Sequence, residues 1–574
     1  MTVQKNIGFL ILVMVFGFTA NTATAQKSKR GALNDERRRI ASEKNFIEGQ
    51  KYFVLEDYTK ALGYFMHALE TNPDNPTIHY KIGEIYLKNE EYQKAEEFAA
   101  KALELNKENK YYFLLVGQIY NKQSRYAEAA KIYEEMIAAI PSSKEYLFDL
   151  ASIYLYDNQL DNAINTYERA EKLFGKLPEI TYAKQKVYLK QNKLGKAIEE
   201  GKELVDSYPG EGSYVINLAQ ILISNNRYDE AIEYLEAVDE DNASYSNSRL
   251  LLSDIYRKNG DNKKSKSNLK IVFENPELNI DTKIQLLAGF MSQLPDKEVE
   301  EFTHELARKL EKSHPDDANA YIIYGDFLLK TGKKEEAINK YSKALELDNS
   351  NFNVWLNILQ IEWELNKMDA LLAHSEEALE IFPNQAIIYF YNGTSKVVKK
   401  NYEQATEVLE YGKKLAKKDD NLTGAFNGQL GMAYSALKEY EKSDAAFDAA
   451  LEQDPNNFVI LNNYSFYLAV RKEKLELAKK MSTRLVKENP DDAMFLDTHA
   501  WVLYMMKEYK DARKYLEKAL KSGKPNGSII EHYGDVLFRL GEKDRAIEQW
   551  EKAKKLDGNS EFIDKKIADR KLYE

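Results

Sequence analysis

The residue types that commonly carry catalysis are present in this chain, but none occurs at a spacing typical of an active site. No histidine belongs to an H-E-x-x-H sequence, and there is no G-x-x-x-x-G-K-[ST] phosphate loop or G-x-S-x-G nucleophile elbow. The histidines are His67, His79, His304, His314, His374, His499 and His532. The absence of cysteine excludes thiolate ligands and a cysteine nucleophile. The sequence therefore predicts no catalytic residue, no metal site and no cofactor, and it favours a binding protein over an enzyme.

Charge composition narrows the class of partner. The chain has 574 residues, with 92 acidic and 81 basic side chains and a formal net charge of −11. A protein that binds nucleic acid usually carries a basic face that neutralises phosphates, and no such face is visible in the sequence. Acidic pairs are frequent, but they alternate with basic residues as on solvated helix faces. The composition therefore favours protein or peptide partners.

The N-terminus predicts an export signal over residues 1–25. Lys5 gives a short positive start, residues 7–20 form an apolar run, and Ala23 and Ala25 provide a small-residue cleavage site before Gln26. The run is shorter than the roughly 20 apolar residues that span a bilayer. A retained membrane anchor is the alternative. The expected location is the periplasm, with outer-membrane association, secretion or signal anchoring as further possibilities.

Three columns of residues recur through the first half with a step of 34 positions, which indicates an internal repeat. The small-residue column holds Gly49, Gly83, Gly117, Ala151, Gln185, Ala219 and Ser253. The tyrosine column holds Tyr52, Tyr86, Tyr120, Tyr154, Tyr188, Leu222 and Tyr256. The alanine column holds Ala61, Ala95, Ala129, Ala163, Ala197, Ala231 and Ser265. The second half restarts the pattern, with Gly325, Leu359, Gly393, Gly431, Ser465, Ala500 and Gly534, and with Ala337, Leu371, Ala405, Ser443, Ala478, Ala512 and Ala546.

Each repeat unit reads as two antiparallel helices. In the second unit, Ile78, Ile82 and Ile85 fall at helical spacing on one face, and a polar turn separates them from the next apolar stripe. Small residues such as Gly83 and Ala95 allow the two helix axes to approach closely. The pattern therefore predicts an all-α protein built from stacked helix pairs.

The combination of Gly49-x-x-Tyr52 with Ala61, Phe65 and Ala68 resembles the tetratricopeptide repeat, and the resemblance covers nearly the whole chain after the signal. It implies an α-solenoid that binds proteins or peptides along a concave groove. The first tryptophan of the family pattern is mostly absent. The C-terminal stretches around Leu461, Leu496 and His532 resemble exported bacterial members of this family, which implies a cell-envelope protein.

In this family the first helix of each pair lines the groove, so the resemblance implies a partner-binding strip in the C-terminal part of the chain. Its members are Asn462, Phe466, Asp497, Trp501, Tyr504, Glu531, Asp535 and Phe538. Trp501 is the predicted anchor, and Asp497 and Glu531 are expected to bind a lysine or arginine of the ligand. The competing interpretation is that Trp501 packs between repeats while the acids face water. The equivalent strip in the front half, which is less concentrated, consists of Phe46, Gln50, Tyr80, Glu84, Leu114, Gln118, Phe148 and Tyr182.

The repeat columns also predict how the chain is divided. After the signal we expect a polar basic segment over residues 26–41 and a first array of about seven repeats over residues 42–278. Residues 279–317 keep helical periodicity but lose the columns, so they read as a degenerate helical connector. A second array of about seven repeats follows over residues 318–560. Residues 561–574 read as a polar capping helix, which a solenoid needs at its end.

The leading functional hypothesis is a non-catalytic scaffold or adaptor of the cell envelope. The alternative is an accessory module for cell-wall or polysaccharide assembly, in which the aromatic strip positions glycan chains or the enzymes that act on them. The sequence does not identify the partner or the oligomeric state.

Overall fold

The computed structural model describes residues 34–416, 419–522, 526–556 and 560–573, and these residues form helices joined by short turns. The predicted all-α fold class is confirmed, whereas the division into two repeat arrays stays a prediction. The predicted export signal lies outside the described residues. Within the described ranges, no helix combines the length and apolar character needed to cross a membrane. The chain divides into two compact units, residues 1–272 and 273–574.

The first unit consists of helices that pack in sequence order, each against the next. They are α1 (34–54), α2 (Tyr58–Thr71), α3 (Pro76–Lys88), α4 (Tyr92–Leu105), α5 (Lys110–Lys122), α6 (Tyr126–Ala139), the short 3₁₀ helix η1 (Pro141–Tyr146), α7 (Leu147–Tyr156), α8 (Leu160–Phe174), α9 (Pro178–Lys190), α10 (Leu194–Ser207), α11 (Gly212–Ser224), α12 (Tyr228–Glu236), α13 (Tyr245–Lys258) and α14 (Asn262–Glu274), whose last residues belong to the second unit. Odd-numbered helices are the first helices of the pairs, and even-numbered helices are the second.

The second unit continues the same alternation of first and second helices. They are α15 (Ile280–Met291), α16 (Lys297–Ser313), α17 (Ala318–Lys330), α18 (Lys334–Leu347), α19 (Phe352–Glu364), α20 (Met368–Ile381), α21 (Ala386–Val398), α22 (Tyr402–Leu415), α23 (Asp420–Ala436), α24 (Tyr440–Gln453), α25 (Phe458–Val470), α26 (Leu475–Glu488), α27 (Ala493–Met505), α28 (Tyr509–Ala519), α29 (Gly527–Arg539), α30 (Lys543–Lys554) and α31 (Ile563–Asp569). The pair α15 and α16 lies within the stretch that the sequence assigns to the connector.

Both ends of a typical first helix are fixed by local hydrogen bonds. In α3 the side chain of Asn75 accepts from the backbone N–H of Thr77 at 2.9 Å, as an N-cap does. At the other end Glu90 adopts a left-handed backbone conformation, with φ of 60°. The Glu91 N–H donates to the carbonyl of Tyr86 at 2.9 Å, and the Glu90 N–H donates to Leu87 at 3.1 Å. These two bonds form a Schellman motif, which ends the helix and turns the chain toward the second helix.

The core of each pair depends on a size match between the small-residue column and the position 16 residues later, on the second helix. Where the column holds glycine, a large side chain fills the space, and a Cβ at Gly325 would lie 2.6 Å from the ring of Tyr341. The other glycines matched in this way are Gly49 with Phe65, Gly117 with Tyr133, Gly393 with Leu409, Gly431 with Phe447 and Gly534 with Trp550. Where the column is large, the partner is small, as in Gln185 with Gly201 and Leu359 with Ser375. The two helices therefore approach closely only if one of the two residues is small.

The size match predicts that a large residue at Gly393 destabilises the protein and that a smaller partner rescues it. We expect Gly393→Leu to overpack against Leu409 and to cost about 1–3 kcal/mol. The double variant Gly393→Leu with Leu409→Ser reproduces the pair that Leu359 and Ser375 form one period earlier, so it should recover at least half of the loss. Urea unfolding followed by circular dichroism measures both variants. A double variant less stable than Gly393→Leu alone would contradict the size match.

Candidate functional site

The predicted C-terminal strip lies on three neighbouring first helices. Asn462 and Phe466 lie on α25, Asp497, Trp501 and Tyr504 on α27, and Glu531, Asp535 and Phe538 on α29. Helix α27 packs against both α25 and α29. A residue on one first helix therefore meets the residue 35 positions later on the next, and this spacing sets which side chains come into contact.

An aromatic stack forms the middle of the strip. The ring of Trp501 stacks on the ring of Tyr504 at 4.8 Å and on the imidazole of His532 at 4.0 Å. Trp501 also packs against the apolar residues of both neighbouring helix pairs. Its Nε1 atom is buried and has no hydrogen-bond partner in the described chain. Trp501 thus packs between repeats, as the competing interpretation stated, and it keeps one donor for which the chain supplies no acceptor.

The carboxylate of Asp497 is paired within the protein. Its Oδ1 lies 2.9 Å from Nδ1 of His532, which is 35 residues further along the chain. Burial opposes the protonated imidazole, but the carboxylate of Asp497 outweighs it and raises the pKa of His532. The sequence analysis treated His532 only as a histidine outside any catalytic motif, although the 35-residue spacing from Asp497 was a readable signal.

Glu531 and Asp535 are buried around a lysine of the last helix. Lys566 Nζ lies 2.7 Å from Glu531 Oε1 and 2.7 Å from Asp535 Oδ2. Glu531 also accepts from the backbone N–H of Ser560 at 2.7 Å, and Asp535 Oδ1 accepts from Nε1 of Trp550 at 2.8 Å. The expected role of Glu531 as a receptor for a basic ligand is therefore corrected, because Lys566 of the same chain already occupies that position. The acids do not face water either.

The titration of these two carboxyl groups differs because their surroundings differ. Burial opposes ionisation of Glu531, but donors from Lys566 and Ser560 together lower its pKa. The almost complete burial of Asp535 raises its pKa to about 6, and Lys566 only partly offsets this effect. The cluster therefore holds its charges through a single buried ammonium group.

The remaining strip residues differ in how far they are committed to packing. Tyr504 is buried, and its hydroxyl accepts from Arg539 Nε at 3.2 Å. The ring of Phe538 stacks on Trp550 with centroids 5.6 Å apart. Asn462 is only 6% exposed, and its Oδ1 has no hydrogen-bond partner among the described residues. Such an oxygen is costly to bury and would accept a donor from a ligand.

The front-half strip, in contrast, borders an open cavity of about 510 Å³ between the first helices α3 and α5. Four predicted members come together there: Tyr80, Glu84, Leu114 and Gln118. The lining residues that the sequence analysis missed are Leu87, Lys88, Glu90, Tyr92, Tyr111, Leu115 and Lys122. Phe46, Gln50, Phe148 and Tyr182 are not among its lining residues.

The cavity combines an exposed aromatic ring with groups of both charges. Tyr111 is 55% exposed. Glu84 accepts from the hydroxyl of Tyr80 at 3.0 Å and from Lys81 at 2.6 Å, so this acid is partly satisfied within the chain. Burial, reinforced by Glu84, raises the pKa of Tyr80, so its hydroxyl stays protonated. The 34-residue step from Lys88 to Lys122 was the sequence signal that placed both ammonium groups at this cavity.

An acidic cluster elsewhere in the first unit is already neutralised. Carboxylate oxygens of Glu171, Glu200 and Glu203 lie close together, but two lysines are inserted among them. Lys176 Nζ lies 2.8 Å from Glu200, and Lys184 Nζ lies 2.8 Å from Glu171. Burial opposes the charge on Glu171, yet the two lysines lower its pKa. The arrangement is an internal ion network that ties neighbouring helices together.

Family models match much of the chain. Models described as tetratricopeptide repeat match residues 55–119, 425–457 and 498–560, and a TPR repeat model matches residues 325–358. A model described as the ARM repeat of tetratricopeptide repeat protein 21 matches residues 106–268.

Individual relatives are distant. A TPR repeat-containing protein of Methanocaldococcus jannaschii is 25% identical over 294 residues, which cover 42% of this chain and 51% of that protein. Protein O-mannosyl-transferase TMTC3 of Homo sapiens is 27% identical over 230 residues, which cover 39% of this chain and 24% of that protein. The chain thus spans about half or less of these relatives. The crystal structure of yeast Tom70 is similar with a TM-score of 0.32 and 17% identity, covering 92% of this chain and 94% of that one.

The buried cluster predicts that removing the ammonium group of Lys566 releases the last helix. Lys566→Met leaves two buried carboxylates without a cation, which typically costs about 3–5 kcal/mol. We expect faster hydrogen–deuterium exchange in α29 and α31, measured by mass spectrometry. Acidification to about pH 5, below the pKa of about 6 for Asp535, should partly restore protection because the protonated acid needs no cation.

The matched control is Lys565→Met, because Lys565 is exposed on the same helix. Equal exchange rates in the two variants would show that the ion cluster does not hold the helix.

Proposed function

We propose that this tetratricopeptide repeat protein is a non-catalytic scaffold that binds a peptide segment of a partner protein in the cavity between α3 and α5. The repeat fold is consistent with protein–protein interaction, and the cavity is the observation that supports a specific place for it. Its volume of about 510 Å³ lies within the range of about 300–1,000 Å³ that is usual for ligand sites.

The chemistry of the lining suits a peptide. The exposed ring of Tyr111 and the side chain of Leu114 offer apolar area for one anchoring side chain of the ligand. Gln118 is exposed and can both donate to and accept from a peptide bond. A tyrosine anchor provides large contact area at a small loss of rotamer freedom.

Charge pairing in the C-terminal strip changes the expected ligand. A basic ligand was expected because Asp497 and Glu531 carry carboxylates on the inner strip. His532 and Lys566 pair with those acids, so the strip offers no free carboxylate at these positions. The cavity between α3 and α5 presents Glu84, Lys88 and Lys122 together. The proposed ligand is therefore a peptide chosen by an apolar anchor and backbone hydrogen bonds rather than by a basic terminus.

The experiment is to pan a phage-displayed peptide library against the full chain and to measure the affinity of the selected peptides. We expect Tyr111→Ala to weaken them about tenfold or more, since truncating an anchor residue often costs 2 kcal/mol or more. Gln118→Ala should weaken them further without loss of helix content.

Tyr411→Ala is the matched control, because Tyr411 is similarly exposed but lies on the second helix α22. The proposal fails if no peptide is enriched, or if Tyr111→Ala and Tyr411→Ala bind the selected peptides with equal affinity.

We also propose that the protein is exported to the cell envelope, where its partners would lie. Lys5, the apolar run over residues 7–20 and the small residues Ala23 and Ala25 support this proposal. Cleavage before Gln26 would release the chain from the membrane. N-terminal sequencing of the protein purified from its native cells should begin at Gln26. A sequence beginning at residue 1 or 2 would contradict cleavage, and recovery of the chain from the cytoplasm would contradict export.

A further inference from the structure

The first helix carries an unusual row of exposed apolar residues. Ile40, Ile47 and Val54 lie on α1 and are 57%, 65% and 76% exposed. They are seven residues apart, so they form one stripe along the helix, which we call the N-terminal stripe. Large aliphatic side chains are rarely left in water as an aligned set on a single face.

In later repeats the equivalent positions are covered by the preceding helix pair. Lys81 lies 34 residues after Ile47, and its Nζ sits 4.7 Å over the ring of Phe53 on α1. Lys88 lies 34 residues after Val54 and sits 5.4 Å over the ring of Tyr58 on α2. The N-terminal stripe is therefore the face that each following pair packs against its predecessor. No other part of the described chain covers this face on α1.

We propose that a second copy of this chain covers the N-terminal stripe, with the two α1 helices antiparallel and Ile47 on the two-fold axis. In this arrangement position 47 − n of one copy faces position 47 + n of the other. Ile40 then lies opposite Val54, and Ile47 lies opposite itself. The interface is isologous, as two-fold contacts between identical subunits are.

The charges that flank the stripe complement each other in this register. Glu43 faces Lys51 of the other copy, and Arg38 faces Glu56. The side chains of Glu43 and Lys51 are 63% and 56% exposed, so both are available for pairing. A parallel pairing would instead place Arg37, Arg38 and Arg39 against the same three arginines, which is repulsive. The antiparallel two-fold arrangement is the one that the charge pattern favours.

The size of the stripe sets the expected strength of the dimer. Helix α1 has 21 residues by its bounds of 34–54, which corresponds to a length of about 31 Å. Three aliphatic residues per copy on one helix make a small interface, so we expect association in the micromolar rather than the nanomolar range. The peptide-binding cavity lies on α3 and α5, outside the stripe, so the two proposals stand independently.

The absence of native cysteine makes the two-fold axis directly testable. In the full chain, Ile47→Cys places two thiols across the axis, within reach of the roughly 4 Å separation of Cβ atoms that a disulfide needs. We expect mild oxidation to give a covalent dimer at tens of micromolar protein. Val459→Cys is the control, because Val459 is 64% exposed on α25, outside the stripe. Cross-linking of Ile47→Cys no faster than Val459→Cys would overturn the proposal.

Charge reversal tests the register independently of the thiols. Glu43→Lys and Lys51→Glu should each weaken the dimer in sedimentation equilibrium, and the two changes combined in one chain should restore it, because both facing pairs then carry opposite charges again. Ile47→Asp should give a monomer. A wild-type chain that sediments as a monomer at these concentrations would show that the stripe is bare or covered by its own N-terminal residues, and the proposal would be wrong.

Discussion

Close approach of the two helices within each pair is the constraint on which the rest of this structure depends. The helices can approach only where one side of their contact is small, and the chain meets this condition in two ways. Gly325 leaves room for Tyr341, whereas Leu359 is matched by Ser375. The requirement applies to the sum of the two side chains, not to either position alone. This explains why the small-residue column tolerates leucine and glutamine without loss of the helix pair.

Contacts between first helices of successive pairs decide which side chains remain available for a ligand. The repeat places a residue beside the one 35 positions later, so an acid on one helix meets a cation on the next. Asp497 meets His532, and Glu531 meets Lys566. Each such pair fixes the spacing of neighbouring repeats and also removes a charge from the inner surface. Where this pairing is incomplete, as at the cavity between α3 and α5, polar and aromatic groups remain open.

The two terminal pairs are finished by different chemistry. At the C-terminal end, α31 covers the last pair and places the ammonium group of Lys566 between Glu531 and Asp535. At the N-terminal end, α1 presents Ile40, Ile47 and Val54 on the corresponding outer face. A polar cap makes an end soluble, whereas an apolar face is stable only when something packs on it. The proposed contact with a second copy follows from this difference.

The sequence by itself determined the local features of the fold. The 34-residue columns predicted the helix pairs and their all-α class, because the spacing of apolar residues reports directly which face of a helix is buried. The front strip was also partly readable, since Tyr80, Glu84, Leu114 and Gln118 do line one cavity. The left-handed turn residues were not readable, because Glu90, Lys400 and Asn158 share a backbone conformation but no side-chain type.

Only the tertiary structure decided which polar residues are free. Glu531 and Trp501 look like ligand groups in the sequence, but one is bound to Lys566 and the other packs against His532. Likewise, Gly83 faces the small Ala99 on its own second helix, and Leu115 of the next pair fills the space. A periodic sequence states which face a residue occupies, but its free energy depends on which neighbour 16, 34 or 35 positions away reaches it. That neighbour is fixed by how helices stack in space.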